Sequence, residues 1–257
     1  MAGWLASSAT AAKVPTVASV TRTAAANDQT LVEAKCLKGK SPVSGGYELH
    51  PADTAFAFNS AEGIDLDLKR WSLTTVAVNG PARATSLAYC SGLGRGVKFR
   101  SDRIELASGD SATLTATCKR DEKVLSGGYA FVSSGIGVGL VEQSFRADPR
   151  SWSIKGLNAG QNQVLMLAFA NCAAKQKVPR LATEQKAMTF NDEGSTTAKT
   201  SCPRGRYALS GGFKIPGDTT EVATESQRVG TRGWRVTAGG LSGRDDKLTA
   251  LAYCARK

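Results

Sequence analysis

Residues 125–129 read LSGGY, and the string returns as VSGGY at 43–47 and LSGGF at 209–213. A Ser ahead of two glycines is how chymotrypsin-like proteases present a nucleophile, with backbone folded tightly enough to aim amides at an oxyanion. Here Ser44, Ser126 and Ser210 each stand eight residues after a cysteine, at Cys36, Cys118 and Cys202. A nucleophile needs one copy and a base, and the single histidine of the chain, His50, follows only the first copy. The motif is a repeated piece of scaffold before it is chemistry.

The surrounding sequence repeats with it. TLVEAKC, TLTATC and TTAKTSC lead into the first cysteine of each copy, and RWSL, SWSI and GWRV place Trp71, Trp152 and Trp234. SLAYC, MLAFANC and ALAYC close the copies at Cys90, Cys172 and Cys254, so the cysteine intervals are 54, 54 and 52 residues. Upstream stands one more matching segment in each: SVTRTAAANDQ, DRIELASGDS and QKAMTFNDEGS. Such self-similarity marks three homologous units of about 80 residues, at 17–95, 96–176 and 177–257. GLGRG, from residue 92, reads as a linker between units: no helix with Lys-Ser/Thr follows it, as a phosphate cradle would need.

Two cysteines per unit at matched positions read as one disulfide inside each: Cys36–Cys90, Cys118–Cys172 and Cys202–Cys254. Six cysteines allow fifteen connectivities, and pairing within units gives all three copies the same covalent structure. Zinc is the rival for these thiols, but neither CxxC spacing nor the histidines are present. Bridges of this kind persist in oxidising compartments, which implies export.

WSLTTVAV, WSIKGL and WRVTAG alternate like half-buried strands, and VNGPARA, NAGQNQ and GGLSGRDD have turn composition. The expected class is all-β, with five or six short strands per unit and the two cysteines on the second and last, an antiparallel sheet pinned by its disulfide. The glycine pairs Gly45-Gly46, Gly127-Gly128 and Gly211-Gly212 suggest a bulge or a close backbone approach that any Cβ would block. Tyr47, Tyr129 and Phe213 then point inward, towards Trp and the disulfide. The three Trp residues are expected in the core and not as sugar-stacking platforms, because each holds a fixed place in an alternating strand. Two arrangements stay open: a pseudo-threefold, β-prism-like closure around one axis, or three small β-sandwich beads. Units of about 80 residues are small for independent cores, which favours closure.

Lys plus Arg exceed Asp plus Glu by 33 to 22. Divided at residues 95 and 176, the thirds carry 9, 10 and 14 basic against 7, 7 and 8 acidic residues, so the surplus is dispersed along the chain. That suits attraction to an anionic polymer or surface better than a protein reading nucleic-acid sequence. No run reaches the eighteen or so apolar residues of a membrane span. MAGWLASSATAAK at 1–13 looks like the end of a signal peptide, with a disordered Ala/Ser/Thr leader as the other reading. Nothing through Asp28 has the pattern of a packed element, so 1–28 is read as that leader or remnant.

The third unit, CPRGRYALSGGF…ESQRVGTRGWRV…LTALAYC, resembles a Cys…Gly-Gly-aromatic…Trp…Cys repeat of secreted proteins of Gram-positive actinobacteria. Units one and two depart from it at CLKG and CKRD, where the third has Cys202-Pro203-Arg204-Gly205. The resemblance implies a secreted bacterial protein and names no activity. In plan, three disulfide-bearing β units are also similar to the vitelline-membrane outer-layer protein and the jacalin-type lectins, an architectural likeness that carries no function.

The residues point to a secreted, non-enzymatic binding protein for a glycan or anionic cell-surface polymer, with an extracellular assembly subunit as the alternative. The repeat plan offers multivalency, yet the loops differ greatly between units, which tells against three equivalent sites. Paired carboxylates occur at Asp65 with Asp67 and at Asp245 with Asp246, and both read as solvated turn charge; catalysis is not expected. NDEGS, at 191–195, lacks the spacing of an EF-hand calcium loop. No cofactor is expected, and no ligand-binding residue can be named.

Overall fold

The computed structural model describes residues 13–52, 56–65, 67, 69–133, 138–190, 194–215, 221–239 and 247–257. Unit one supplies β1 (Thr16–Ala24), β2 (Asp28–Lys35), β3 (Ser41–Pro51), β4 (Phe56–Ile64), β5 (Arg70–Val78) and β6 (Ala82–Ser91). Unit two supplies β7 (Lys98–Leu106), β8 (Ser111–Thr117), β9 (Glu122–Val132), β10 (Gly139–Asp148), β11 (Ser151–Asn158) and β12 (Val164–Ala174). Unit three supplies β13 (Ala182–Thr189), β14 (Ser195–Ser201), β15 (Arg206–Lys214), β16 (Val222–Val229), β17 (Gly233–Gly239) and β18 (Lys247–Arg256). Among the described residues the one helical piece is a 3-10 turn at Gly92–Gly94, in the linker. Alternation produces these strands: β14 reads STTAKTS, and its residues are exposed and buried in strict turn.

Every sheet is shared between two units. The three six-stranded sheets run β1-β6-β3-β16-β17-β14, β13-β18-β15-β10-β11-β8 and β2-β5-β4-β9-β12-β7, with all pairings antiparallel. Units one and three, three and two, and two and one thus join in a closed ring. The junctions pair Tyr47 with Ser226, Phe213 with Ser144 and Tyr129 with Glu62. One hydrophobic core draws Tyr47, Trp152 and Trp234 from three different units. Closure, and not a row of beads, is therefore the arrangement.

The repeated motif makes that closure. Each Ser-Gly-Gly follows a bulge, since the ladder skips one residue before Ser44, Ser126 and Ser210. The skipped residues are Val43, Leu125 and Leu209, and their carbonyls leave the ladder to serve the neighbouring unit. Ser44 Oγ donates to Leu209 O at 2.5 Å, Ser126 Oγ to Val43 O at 2.8 Å and Ser210 Oγ to Leu125 O at 2.7 Å. These bonds run one to three, two to one and three to two, a ring buried at the axis.

Two expectations change. The chain packs well before Asp28: β1 pairs along its whole length with β6, so the leader expected over 1–28 does not include Thr16–Ala24. The matching segment SVTRTAAANDQ already carried that strand; its burial is slight because β1 is an edge. Residues 1–12 lie outside those described. Each disulfide also joins two sheets instead of pinning one. Cys36, Cys118 and Cys202 directly follow β2, β8 and β14, and their partners Cys90, Cys172 and Cys254 lie on β6, β12 and β18 of another sheet.

Candidate functional site

The Ser-Gly-Gly-aromatic, Trp and Cys residues of the repeat are buried, apart from the half-buried Gly211. A Cβ on Gly45, Gly127 or Gly211 would overlap the indole of Trp71, Trp152 or Trp234 of the same unit. A Cβ on Gly46, Gly128 or Gly212 would strike the backbone carbonyl of Ser226, Glu62 or Ser144 in the next unit. One glycine admits a ring and the other admits a neighbouring strand. Trp71, Trp152 and Trp234 are 1–2% exposed, so none is a stacking platform. Trp152 and Trp234 meet Tyr253 and Tyr89 edge-on at 5.7 and 5.8 Å. Tyr47, Tyr129 and Phe213 are buried, and Tyr47 Oη donates to Ala223 O of unit three at 3.1 Å.

The axis is not a ligand channel. Its cavity, ringed by Ser44, Ser126, Ser210 and the three Trp, measures about 10 Å³, at most one water. His50 is half exposed, paired with Glu48 at 3.4 Å and six residues along the strand from Ser44, or ~20 Å. It serves no serine. Asp65 Oδ1 accepts from the backbone N of Lys69 and Arg70 at 3.0 and 3.2 Å, and Asp67 Oδ1 accepts from Lys69 N at 3.1 Å. Burial and a shared bond with Asp67 raise the Asp65 carboxyl, and the same bond lowers that of Asp67. Both carboxylates are occupied in holding a turn. Asp245, Asp246 and the NDE of NDEGS lie outside the described residues.

Sequence reading missed the buried acid at the axis. Trp152 and Trp234 donate from Nε1 to Ser144 and Ser226 Oγ at 3.1 Å, but the equivalent residue in unit one is Glu62. Burial raises the Glu62 carboxyl from 4.5 to about 8; the Trp71 indole, facing it outside ordinary hydrogen-bond geometry, lowers it part of the way. At neutral pH Glu62 is mostly protonated, a polar group inside the axial packing.

The chemically distinctive surface is the end that carries the disulfides. Strands run up and down in strict succession, so alternate connections all fall at one end of the molecule. The connecting segments at the disulfide end, with residues 13–15 and 257, hold fourteen Lys or Arg against three Asp: Asp65, Asp67 and Asp121. The dispersed surplus of the sequence is thereby gathered into a basic pole. The acids nearby are largely engaged already. Arg70 pairs with Asp65 at 3.6 Å and Asp67 at 3.9 Å, and Glu122 takes Arg100 at 3.1 Å and Lys98 at 3.5 Å. Burial works to raise the Glu122 carboxyl, but Arg100, the Lys119 N–H and Lys98 together hold it below its usual range.

Three clefts indent this pole: about 720 Å³ around Lys38, Lys69 and Arg95, about 590 Å³ around Arg95 and Lys177, and about 400 Å³ between Arg180, Arg206 and Arg256. A groove of about 560 Å³ at the other end, lined by Asn27, Gln29, Ser60 and Phe131, has a polar rim. Its ring, Phe131, is 7% exposed and offers a sugar no stacking face.

Fold and surface together define a class: a disulfide-clasped, three-sheet β protein with one strongly basic end. No family model matches the chain, and no curated protein matches it significantly. Three bridges and no free cysteine fit an oxidising compartment, and no helix among the described residues is long and apolar enough to cross a membrane.

Proposed function

We propose that this chain is an exported, non-enzymatic binding protein that holds a phosphate- or sulfate-bearing surface glycan against its basic pole. The supporting observation is the segregation of charge: cations from all three units stand together on one end, with few acids to neutralise them. A concentrated field of one sign attracts a polyanion and raises its local concentration, where the same charges scattered would not. Three units in a closed ring present adjacent cationic loops, so one polymer can engage several at once. The assembly reading is weakened by the charged edge strands β7 and β13, with Arg103, Glu105, Glu184 and Lys186, which discourage strand pairing between molecules.

The test is retention of the purified protein on immobilised dextran sulfate and on polyphosphate across a salt series. Retention at low ionic strength and release as the Debye length shrinks below ~8 Å are expected. Duplex DNA serves as the competing polyanion, and stronger retention on it than on either polymer would overturn the glycan reading. Flow-through from every column at about 50 mM salt would overturn polyanion binding altogether.

A further inference from the structure

We propose that the cleft between Arg180, Arg206 and Arg256 is a specific site for one tetrahedral oxyanion, the phosphate or sulfate ester group of the bound polymer. The inference rests on the polyanion reading and narrows it to three side chains.

The site departs from the repeat. In unit two the position two residues out from the disulfide pairs Glu122 with Ala174, and Glu122 is the acid that takes Arg100 and Lys98. In unit three the equivalent pair is Arg206 opposite Arg256. The acid has become a second cation. Like charges directly opposite on an antiparallel pair repel, so this station is unfavourable while it stands empty of negative charge. The station of Lys98, opposite the last cysteine, is held in unit three by Ala182, whose small side chain opens a cleft of about 400 Å³. Arg180 enters the same cleft from the connection before β13. None of the three guanidinium groups has an ion-pair partner among the described residues.

Planar guanidinium forks match the oxygens of phosphate and sulfate with two parallel bonds each, which a lone lysine cannot do. Arg206 is partly buried and held in the ladder, whereas Arg180 and Arg256 are exposed. One cation is thus fixed and two can close on an arriving anion. In unit two Glu122 neutralises Lys98 and Arg100; in unit three the station of Arg100 holds Glu184, which forms no ion pair with the three arginines, so their neutralisation is left to the ligand.

The experiment titrates full-length protein with inorganic phosphate and, separately, inorganic sulfate, following the arginine Nε–H resonances by NMR. Saturable shifts at Arg206 and Arg256 are expected, and whichever anion binds tighter identifies the ester. Arg206→Ser should weaken binding about tenfold or more, the scale of one charge-assisted bond pair. It should also raise the anion-free melting temperature by relieving the Arg–Arg repulsion. An Arg103→Ser variant on the edge strand β7, outside the pole, should titrate as wild type. Linear shifts spread over all arginines, or an Arg206→Ser titration matching wild type, would overturn the site. The two readings separate cleanly. An Arg206→Ser anion titration matching wild type, with salt-sensitive polymer retention intact, sinks the site and spares the pole, and saturable phosphate binding without polymer retention does the reverse.

Discussion

Glu62 stands where its counterparts are Ser144 and Ser226, and it is the residue that breaks the threefold pattern at the axis. Its carboxyl is raised from 4.5 to about 8, so the folded protein keeps a proton that the unfolded chain releases. Below about pH 4.5 both states hold the proton and no cost arises. Stability falls as pH climbs through the interval, and the full penalty is present above about 8. Glu62→Gln should therefore melt higher than wild type at pH 9, with the gap narrowing to nothing near pH 4.5. Melting curves by circular dichroism at five pH values check this; parallel profiles would refute it. Gly211 makes a second test at this scale. Alanine there would drive a methyl into the Trp234 ring, an overpacking cost of about 2 kcal/mol or more, readable from the urea midpoint.

The disulfides act at the level of strands. Each ties the end of one strand to a strand of a different sheet within the same unit, clasping the unit's two three-stranded halves. A closed loop of 54 residues is worth about 4 kcal/mol in the chain-entropy account. Replacing Cys118 and Cys172 by Ala should lower stability by about 2–5 kcal/mol, measured by denaturant unfolding against wild type. Loss below about 1 kcal/mol would show that the shared sheets hold the halves unaided. The cysteines and alternating Trp segments were legible because spacing and period-two patterns are local. That each bridge crosses between sheets was not, since a strand does not announce which of two sheets it will join.

Over the whole molecule, the sharing of sheets makes the units interdependent. Unit two alone, residues 96–176, would leave β9 and β10 as open edges where β4 and β15 now pair. It would also lose the neighbours' carbonyl and hydroxyl at the serine ring. That fragment should remain unfolded as a monomer, with collapsed amide dispersion by NMR. A well-dispersed, cooperatively melting fragment would contradict the closed-ring account.

What the amino-acid sequence determined unaided was an all-β chain of three clasped copies, because alternation, turn composition and cysteine spacing act over short stretches. It carried the glycine reading too: a Cβ-free approach was inferred from Gly-Gly before an aromatic, and both glycines have one. Tertiary structure alone decided which backbone approaches, that Glu62 is sealed beside Trp71, and that scattered cations meet at one end. Those outcomes depend on contacts between different units, such as Ser44 with Leu209. Partner choice between units follows from how strands register in three dimensions, and no local pattern encodes it.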